Sequence, residues 1–293
     1  MSNLQKSCLV LGASSQLGDS LLPKLLEEGY EVHAVSRTPQ LDSPATQQLH
    51  WHTLDLVLAE HWPAAVSLLV HLAPLYILPK LLREAPRTLR VVAISSTSIR
   101  TKQDSPSSAE REVAQRLLQA EQEISQLCQA NGHDLTILRP TMLYGMGRDA
   151  TIGRMQRFVQ RWRFLPVPSM NTGLRQPVHV HDVSRAIMQV INEPRSFAKV
   201  YELGGLDALP VSQLAERIFL DNRQPVRTVP VPVWLLTLLF RLLKAVRPSL
   251  DWSPALLKRA ALDQVVDNQT AIDDFQYAPR AFDARLQSLH KLN

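Results

Sequence analysis

Residues 9–18 read Leu9-Val10-Leu11-Gly12-Ala13-Ser14-Ser15-Gln16-Leu17-Gly18, an apolar run that turns at a glycine into a helical pattern. The apolar run Ser7 to Leu11 predicts a strand, and the periodicity of Leu17 to Glu28, which stops before Gly29, predicts a helix. Backbone amides and the positive end of the helix dipole meet at such a turn and favour a bound phosphate. A glycine at position 12 permits the tight turn, and one at 18 permits close packing of helix on strand. The stretch therefore predicts a binding loop for the pyrophosphate of a dinucleotide.

Position 15 differs from the usual glycine-rich loop, because Ser15 stands where a middle glycine is often found. A serine hydroxyl can donate a hydrogen bond to phosphate, although its Cβ atom reduces the clearance. The alternative interpretation is an ordinary strand–helix turn. The residues that we expect to contact the cofactor in this loop are Gly12, Ser14, Ser15, Gln16, Leu17 and Gly18.

The first half of the chain alternates strand-like and helix-like segments. Further strands are predicted at Glu31 to Ser36, near Trp51 to Leu54, at Val66 to Leu72, at Leu89 to Ile94 and at Asp134 to Leu138, with a long helix from Glu110 to Ala130. Strands that are separated by helices form parallel sheets with right-handed crossovers. We therefore expect an α/β fold, a Rossmann-type doubly wound parallel sheet.

After Thr141 prolines and short segments dominate. Helices are predicted near Asp182 to Asn192, Val211 to Leu220 and Val231 to Val246, and a short strand at Val200 to Leu203. We expect a dinucleotide-binding core over residues 1–140. A smaller, mainly helical substrate-binding region would occupy residues 141–293, with one strand and one helix returning to the core.

The choice of cofactor depends on the end of the second predicted strand, Val35-Ser36-Arg37. Proteins that prefer NAD usually place an acidic residue there to bind the ribose hydroxyls. An arginine instead suits the 2′-phosphate of NADP, which it can bind with two parallel hydrogen bonds. Ser36 and Arg37 therefore favour NADP over NAD, although a plain surface arginine is the alternative.

Several further motifs occur in a fixed order along the chain. They are Asp55-Leu56, His71-Leu72-Ala73-Pro74, Ile94-Ser95-Ser96-Thr97-Ser98, Leu138-Arg139-Pro140 followed by Tyr144-Gly145, and Gln176-Pro177-Val178-His179-Val180-His181-Asp182-Val183. As a set, over about residues 7–205, they resemble the extended and atypical short-chain dehydrogenase/reductases, which include nucleotide-sugar epimerases and dehydratases.

The resemblance implies roles for individual residues. Asp55 and Leu56 would contact the adenine, and Leu72, Ala73, Pro74 and Pro140 would line the cofactor site. Ser96 matches the catalytic serine position, and Thr97 and Tyr144 are the other candidates for catalysis. The family's Tyr-x-x-x-Lys dyad is absent, because no tyrosine lies between Ser96 and Leu143. If Glu121 matches the glutamate that follows this dyad, Val113 and Leu117 stand in the places of tyrosine and lysine, and neither can transfer a proton.

The charge distribution leaves two interpretations of one predicted surface. The net charge is +5, yet residues 139–175 contain seven arginines and one acid, Asp149. Of these, Arg154, Arg157 and Arg161 have helical spacing. They form either a solvated basic face or a binding surface for an anion such as a diphosphate. The absence of a zinc finger or of a basic motif with interleaved aromatic residues argues against nucleic acid.

Cysteine count, histidine spacing and apolar runs indicate which compartments and which further sites to expect. Two cysteines, Cys8 and Cys128, provide no disulfide framework, and we expect a cytoplasmic protein without a transmembrane segment. The pairs His50-x-His52 and His179-x-His181 each place two imidazoles on one strand face, but a zinc site needs more ligands, and we expect no metal. The apolar stretch Val231 to Val246 predicts a packed helix, with a substrate lid, a membrane surface or a partner contact as alternatives.

Two functional hypotheses follow. The first is an NADP-dependent oxidoreductase or epimerase-like enzyme that acts on a small anionic, nucleotide-linked substrate, with NAD as the other cofactor. The second is a catalytically silent dinucleotide-binding sensor or assembly protein. The missing dyad favours the second hypothesis, and the glycine loop is compatible with both.

Overall fold

The computed structural model describes residues 6–39, 47–58, 64, 66–85, 88–169, 173–246 and 260–285. The strands are β1 Ser7–Leu11, β2 Glu31–Ser36, β3 Leu49–Thr53, β4 Leu68–His71, β5 Arg90–Ile94, β6 Asp134–Pro140, β7 Leu143–Tyr144, β8 Leu165–Pro168, β9 Leu174–Arg175, β10 Val178–His179, β11 Lys199–Leu203, β12 Leu209–Pro210 and β13 Thr228–Val231. The helices are α1 Gln16–Glu27, α2 Leu78–Arg83, α3 Ser98–Thr101, α4 Ser108–Asn131, α5 Ile152–Trp162, α6 Val180–Ile191, α7 Val211–Asp221, α8 Val233–Val246 and α9 Gln269–Phe275.

Seven of the described strands form one sheet in the order β11-β6-β5-β4-β1-β2-β3, and every neighbouring pair is parallel. This confirms the expected Rossmann-type α/β fold. The chain order reverses at β1, which pairs with β2 on one side and β4 on the other. In such sheets the crevice outside the carboxyl ends of the strands at this point is where ligands bind.

Two layers of helices cover the sheet because its central strands are apolar on both faces. Cys8 and Val10 of β1 point to the face packed against α1 and α6, whereas Leu9 and Leu11 point to the face packed against α2 and α4. Both described cysteines are free and buried, and burial raises the pKa of the Cys128 thiol to about 12. These thiols therefore act as core side chains.

A smaller third core lies beyond the sheet. It joins α5, β8 and α7 to residues 282–284, with Val159, Phe219 and Phe282 among its buried members. Helix α6 and strand β11 return from this half of the chain to the sheet. No helix among the described residues is both long enough and apolar enough to cross a bilayer.

Candidate dinucleotide site

The glycine loop has the geometry that its sequence predicts. Gly12 has φ +77°, and a Cβ atom there would lie 2.8 Å from the Ala73 backbone nitrogen. A Cβ atom at Gly18 would lie well under 3 Å from the Ala13 carbonyl oxygen. The Ser15 hydroxyl accepts a hydrogen bond from the Gly18 amide at 3.1 Å and so caps α1. Glycine is therefore required at both positions, at 12 by the backbone conformation and at 18 by the close approach of helix and strand.

The end of β2 is bonded to this loop. The Ser36 hydroxyl donates to the Ser14 hydroxyl at 3.0 Å and accepts from the Thr38 amide at 3.2 Å. Arg37 follows with an exposed side chain. The glycine loop, Ser36 and Arg37 thus lie together at the carboxyl edge of the sheet.

The ends of β3 and β4 contribute the next predicted residues. One carboxylate oxygen of the exposed Asp55 accepts from the Val57 amide at 3.0 Å, and Leu56 is buried. The Leu72 amide donates to the Leu11 carbonyl at 2.8 Å, which brings the segment through Ala73 and the exposed Pro74 against the glycine loop.

His71 precedes that segment and is fully buried. Its Nε2 atom lies 3.2 Å from the Pro74 carbonyl oxygen, and burial lowers the pKa of the imidazole to about 4. The neutral ring therefore donates to this carbonyl and supports the turn from Leu72 to Pro74.

The candidate catalytic residues follow β5. The half-buried Ser96 hydroxyl donates to the Ser98 hydroxyl at 3.0 Å and accepts from the Ser98 amide at 3.1 Å. The Thr97 amide donates to the Pro140 carbonyl at 3.3 Å, so this turn lies against the end of β6. Among the described residues, neither hydroxyl bonds to a group that could act as a base.

Helix α4 presents Val113, Leu117 and Glu121 at intervals of four residues, so these side chains share one face. Val113 is 41% exposed and Leu117 packs partly buried against the core. Glu121 is buried and forms a two-pronged ion pair with Arg139, whose Nε atom lies 2.9 Å from its Oε1 atom. The hydrogen bond to Glu121 raises the pKa of Arg139. The ion pair joins α4 to β6.

Tyr144 lies in a closed environment. It is 2% exposed, and its hydroxyl accepts from the Asp283 amide at 3.2 Å. Its ring meets the edge of the His179 ring at a centroid distance of 5.1 Å. Burial raises the pKa of Tyr144 to about 12 and lowers that of His179 to about 4. These contacts weigh against proton transfer by Tyr144, whose catalytic role stays a prediction.

Arg148 is a site residue that sequence reasoning missed. Its guanidinium forms an ion pair with Asp19 in the first turn of α1 and lies 3.5 Å from the Ser14 carbonyl oxygen. A cation from the second half of the chain therefore stands beside the glycine loop. The two partners are 129 positions apart, and the sequence contains no signal for such a pair.

Two cavities open near this edge. One, of about 250 Å³, is lined by Met142, Arg175 and Leu214 among others. The other, of about 560 Å³, is lined by Arg100, Asp104 and further polar residues. Arg175 is 6% exposed, and its guanidinium donates to the Leu262 carbonyl at 2.7 Å. A buried cation thus borders a cavity next to the segment that follows Pro140.

The histidines of the two predicted pairs contact other imidazoles and a backbone amide. On β2 and β3, His33 Nδ1 lies 3.0 Å from His52 Nε2, and the His33 ring stacks on His50. His179 Nδ1 accepts from the His181 amide at 3.1 Å, which caps α6. Within the ranges that the structure describes, no group of three or more His, Cys, Asp or Glu side chains could hold a metal ion.

Comparison with known proteins adds independent findings. Residues 8–75 match the model of the NAD dependent epimerase/dehydratase family. A mitochondrial NADH dehydrogenase [ubiquinone] 1 alpha subcomplex subunit 9 from Arabidopsis thaliana is 35% identical over 100 residues, which are 34% of this chain and 25% of that protein. A UDP-glucose 4-epimerase from Vibrio cholerae is 23% identical over 116 residues, 40% of this chain and 35% of that protein.

One solved structure shows the same fold over nearly the whole chain. It is a UDP-glucuronic acid 4-epimerase from Bacillus cereus in complex with UDP-glucuronic acid and NAD, with a TM-score of 0.73 at 14% identity, covering 95% of both chains. The matching stretches span only 25% and 35% of the two relatives named above. The resemblance to the extended and atypical short-chain dehydrogenase/reductases is thus confirmed by sequence in residues 8–75, and the solved structure shows the same fold over almost the full chain.

Proposed function

We propose that this chain binds a nicotinamide dinucleotide, preferentially NADP, and holds it without the acid–base dyad that would support epimerase or dehydrogenase turnover. The function that this arrangement supports best is that of a dinucleotide-binding sensor or assembly protein. The observation that carries the proposal is the face of α4, where Leu117 lies one turn and Val113 two turns before Glu121.

The glycine loop fits a pyrophosphate. The first turn of a helix leaves backbone amides without acceptors inside the helix. Here a φ of +77° at Gly12 turns the chain tightly before these amides, and Gly18 lets α1 pack closely on Ala13. The Arg148 guanidinium also lies beside the Ser14 carbonyl, with its charge paired to Asp19. These features support the roles of Gly12, Ser14, Ser15, Gln16, Leu17 and Gly18 in binding.

The end of β2 supports NADP as the cofactor. Ser36 is tied to the loop by Ser14, so Arg37 emerges where the adenosine ribose of a bound dinucleotide would lie. Its exposed guanidinium can bind a 2′-phosphate. Asp55 and Leu56 end the next strand, next to this position, and would hold the adenine.

The register of α4 explains why proton transfer is not supported. The Glu121–Arg139 pair fixes α4 at the level of the last residues of β6. A helix rises 1.5 Å per residue, so Leu117 lies about 6 Å and Val113 about 12 Å further along the helix axis. Because α4 runs antiparallel to the strands, that direction leads to the carboxyl edge and the Ser96 turn. Methyl groups there can neither donate nor accept a proton.

A second candidate function rests on the cavity with Arg175. A buried guanidinium beside a space of about 250 Å³ suits an anionic group of a small substrate. In this alternative the chain is an epimerase-like enzyme or a reductase on a nucleotide-linked substrate. Bound NADP(H) would supply or accept the hydride, and Ser96 or Thr97 would contact the reacting hydroxyl.

The experiment is a thermal melt with and without NADPH, because a ligand that binds only the native state raises its melting temperature. We expect a shift with the wild type and none with Gly18→Ala, whose methyl group would displace α1 from Ala13. Gly29→Asn is the matched control, since a Cβ atom there meets nothing within 4 Å and asparagine tolerates a positive φ. A shift that survives in Gly18→Ala would place the nucleotide elsewhere.

The same protein samples also distinguish the two candidate functions, a silent dinucleotide-binding protein and an enzyme. Incubation of the NADPH complex with a panel of nucleotide sugars and carbonyl compounds should leave the reduced nicotinamide unchanged. Rapid oxidation that depends on Ser96 would favour the enzyme, and oxidation lost in Tyr144→Phe would assign the proton to Tyr144.

A further inference from the structure

Helix α8 exposes an apolar face that the dinucleotide site does not use. Trp234, Leu238 and Leu242 are 68%, 48% and 58% exposed, and Leu235 and Leu239 complete the same face. Spacings of one, four and eight residues place these side chains on one side of the helix. Leu236, on the opposite side, is buried. The helix thus packs by its narrow side and presents its wider apolar face outward.

A second exposed cluster lies at the other end of a short ribbon. Strands β8 and β13 pair in parallel, and the Leu165 amide donates to the Arg227 carbonyl at 3.0 Å where they begin. Next to this bond are Trp162, 57% exposed, and the exposed Phe164 and Val226. Strand β13 leads directly into α8, so the ribbon connects the two exposed apolar clusters.

Positive charge accompanies these clusters. The guanidinium groups of Arg163 and Arg227 border one small cavity of about 230 Å³, and no described carboxylate pairs with either. Residues 222–246 contain four basic residues and no acidic residue, a net charge of +4 against +5 for the whole chain. The region that carries the exposed leucines therefore also carries the excess positive charge.

We propose that this surface, formed by the outward face of α8 and the ends of the β8–β13 ribbon, docks on an anionic phospholipid bilayer. Helices that lie in the membrane interface combine leucine and tryptophan on one face with flanking lysine and arginine. Tryptophan prefers the headgroup level, and each basic residue near an anionic leaflet adds attraction.

Two alternatives for the exposed face of α8, contact with a second copy of the chain and a role as a substrate lid, fit less well. A symmetric contact between two copies would bring two regions of charge +4 together, which repel each other. A lid over the substrate cavity would contribute lining residues, yet the described lining near Arg175 comes from other elements. The bilayer is the occupant that satisfies both the apolar face and the charge.

The test is co-sedimentation of the full chain with vesicles of phosphatidylcholine alone or mixed with phosphatidylglycerol. We expect binding to the mixed vesicles that weakens with added salt, with a blue shift of tryptophan fluorescence that diminishes in Trp234→Phe. Leu238→Glu should lower the partition coefficient about tenfold or more, because a leucine that inserts into the interface is lost.

Variants outside the proposed surface test whether vesicle binding depends on that surface. Ile272→Glu changes an equally helical residue, 41% exposed on α9, and should leave partitioning unchanged. Arg163→Gln with Arg227→Gln should reduce the preference for phosphatidylglycerol, whereas Arg116→Gln on the exposed side of α4 should not.

Three results would overturn the proposal. They are the absence of binding to either vesicle, equal binding to neutral and anionic vesicles, and self-association in solution that Leu238→Glu abolishes, which would assign the face to a second copy. Thermal melts with NADPH, performed on the same variants, should show the wild-type shift, because the glycine loop lies elsewhere.

Discussion

Arg37 is the residue on which we expect cofactor preference to depend. Its side chain is exposed at the end of β2, next to Ser36, and no acidic residue occupies the position that would bind a ribose hydroxyl. Arg37→Glu should weaken NADPH binding far more than NADH binding. A charge-assisted hydrogen bond contributes about 1.5–3 kcal/mol, which corresponds to about 10-fold to 150-fold in affinity.

Isothermal titration of both nucleotides into the wild type and the variant measures this difference. Arg116→Glu, an equal charge reversal on α4, controls for the change in net charge. Equal losses for NADPH and NADH in Arg37→Glu would show that the 2′-phosphate does not contact this residue.

Glu121 shows how burial changes the contribution of an ion pair to the stability of the protein. Its carboxylate is buried against Arg139, whereas Glu123, two residues on, pairs with Arg83 at the surface. Glu121→Gln should destabilise the protein by about 3–5 kcal/mol, because a half-buried guanidinium loses its partner. Glu123→Gln should cost about 0–1 kcal/mol. Urea unfolding of the two variants tests this, and equal losses would mean that the α4–β6 contact does not depend on the pair.

At the scale of single residues, sequence reasoning found the positions that a backbone motif fixes. Gly12 and Gly18 are required by local geometry, so their spacing alone identified them. Arg148 could not be found in this way, because its partner Asp19 lies in the first helix and only the folded chain brings them together.

At the scale of elements, the sheet was predictable and the connections were not. The central strands are continuous apolar runs, and the predicted ends of β1 and β2 match the structure, while those of α1 differ by one residue. Helix α2, of six residues, was missed because it is shorter than two turns of periodic pattern. For α8 the sequence predicted a packed helix, with a lid, a membrane surface or a partner contact as alternatives, and the structure shows one face exposed. A nearly uninterrupted apolar run has no periodicity that would tell the packed face from the exposed one.

The motif around Asp182 shows how an element can depend on a distant segment. Asp182 is fully buried and accepts hydrogen bonds from the backbone amide and Nε of Arg280, both at 3.0 Å. Asp182→Asn removes the charge and should loosen residues 277–285 from α6.

Hydrogen exchange measures this loosening directly. Amides of residues 277–285 should exchange faster in Asp182→Asn, while those of β1 and β5 stay protected. Asp273→Asn on the exposed side of α9 is the control and should change neither region. Unchanged exchange at 277–285 in Asp182→Asn would show that the segment is held by its apolar contacts instead.

The whole molecule should lose stability on acidification. Burial lowers the pKa of His33, His52, His71, His133 and His179, to about 4 for His71 and His179. Below about pH 6.5 the unfolded chain takes up protons that the folded chain refuses, so the free energy of unfolding falls as the pH falls towards 4. The lowered pKa of His71 alone should reduce the free energy of unfolding by about 2 kcal/mol as the pH falls from 7 to 5.

Urea unfolding as a function of pH tests the assignment. The slope between pH 6.5 and 4 should be shallower in His71→Asn, which cannot be protonated, than in the wild type. A variant profile parallel to that of the wild type would contradict the role of His71, whatever its stability at neutral pH.

The molecule combines the glycine loop with a helix face that carries no proton-transfer groups at Val113 and Leu117. A crystal structure of the NADPH complex tests this most directly. We expect the pyrophosphate over the loop from Gly12 to Gly18, the 2′-phosphate against Arg37, and Val113 and Leu117 as the α4 side chains nearest the nicotinamide. An empty glycine loop at saturating NADPH, or a tyrosine and a lysine within hydrogen-bond distance of the nicotinamide ribose, would contradict it.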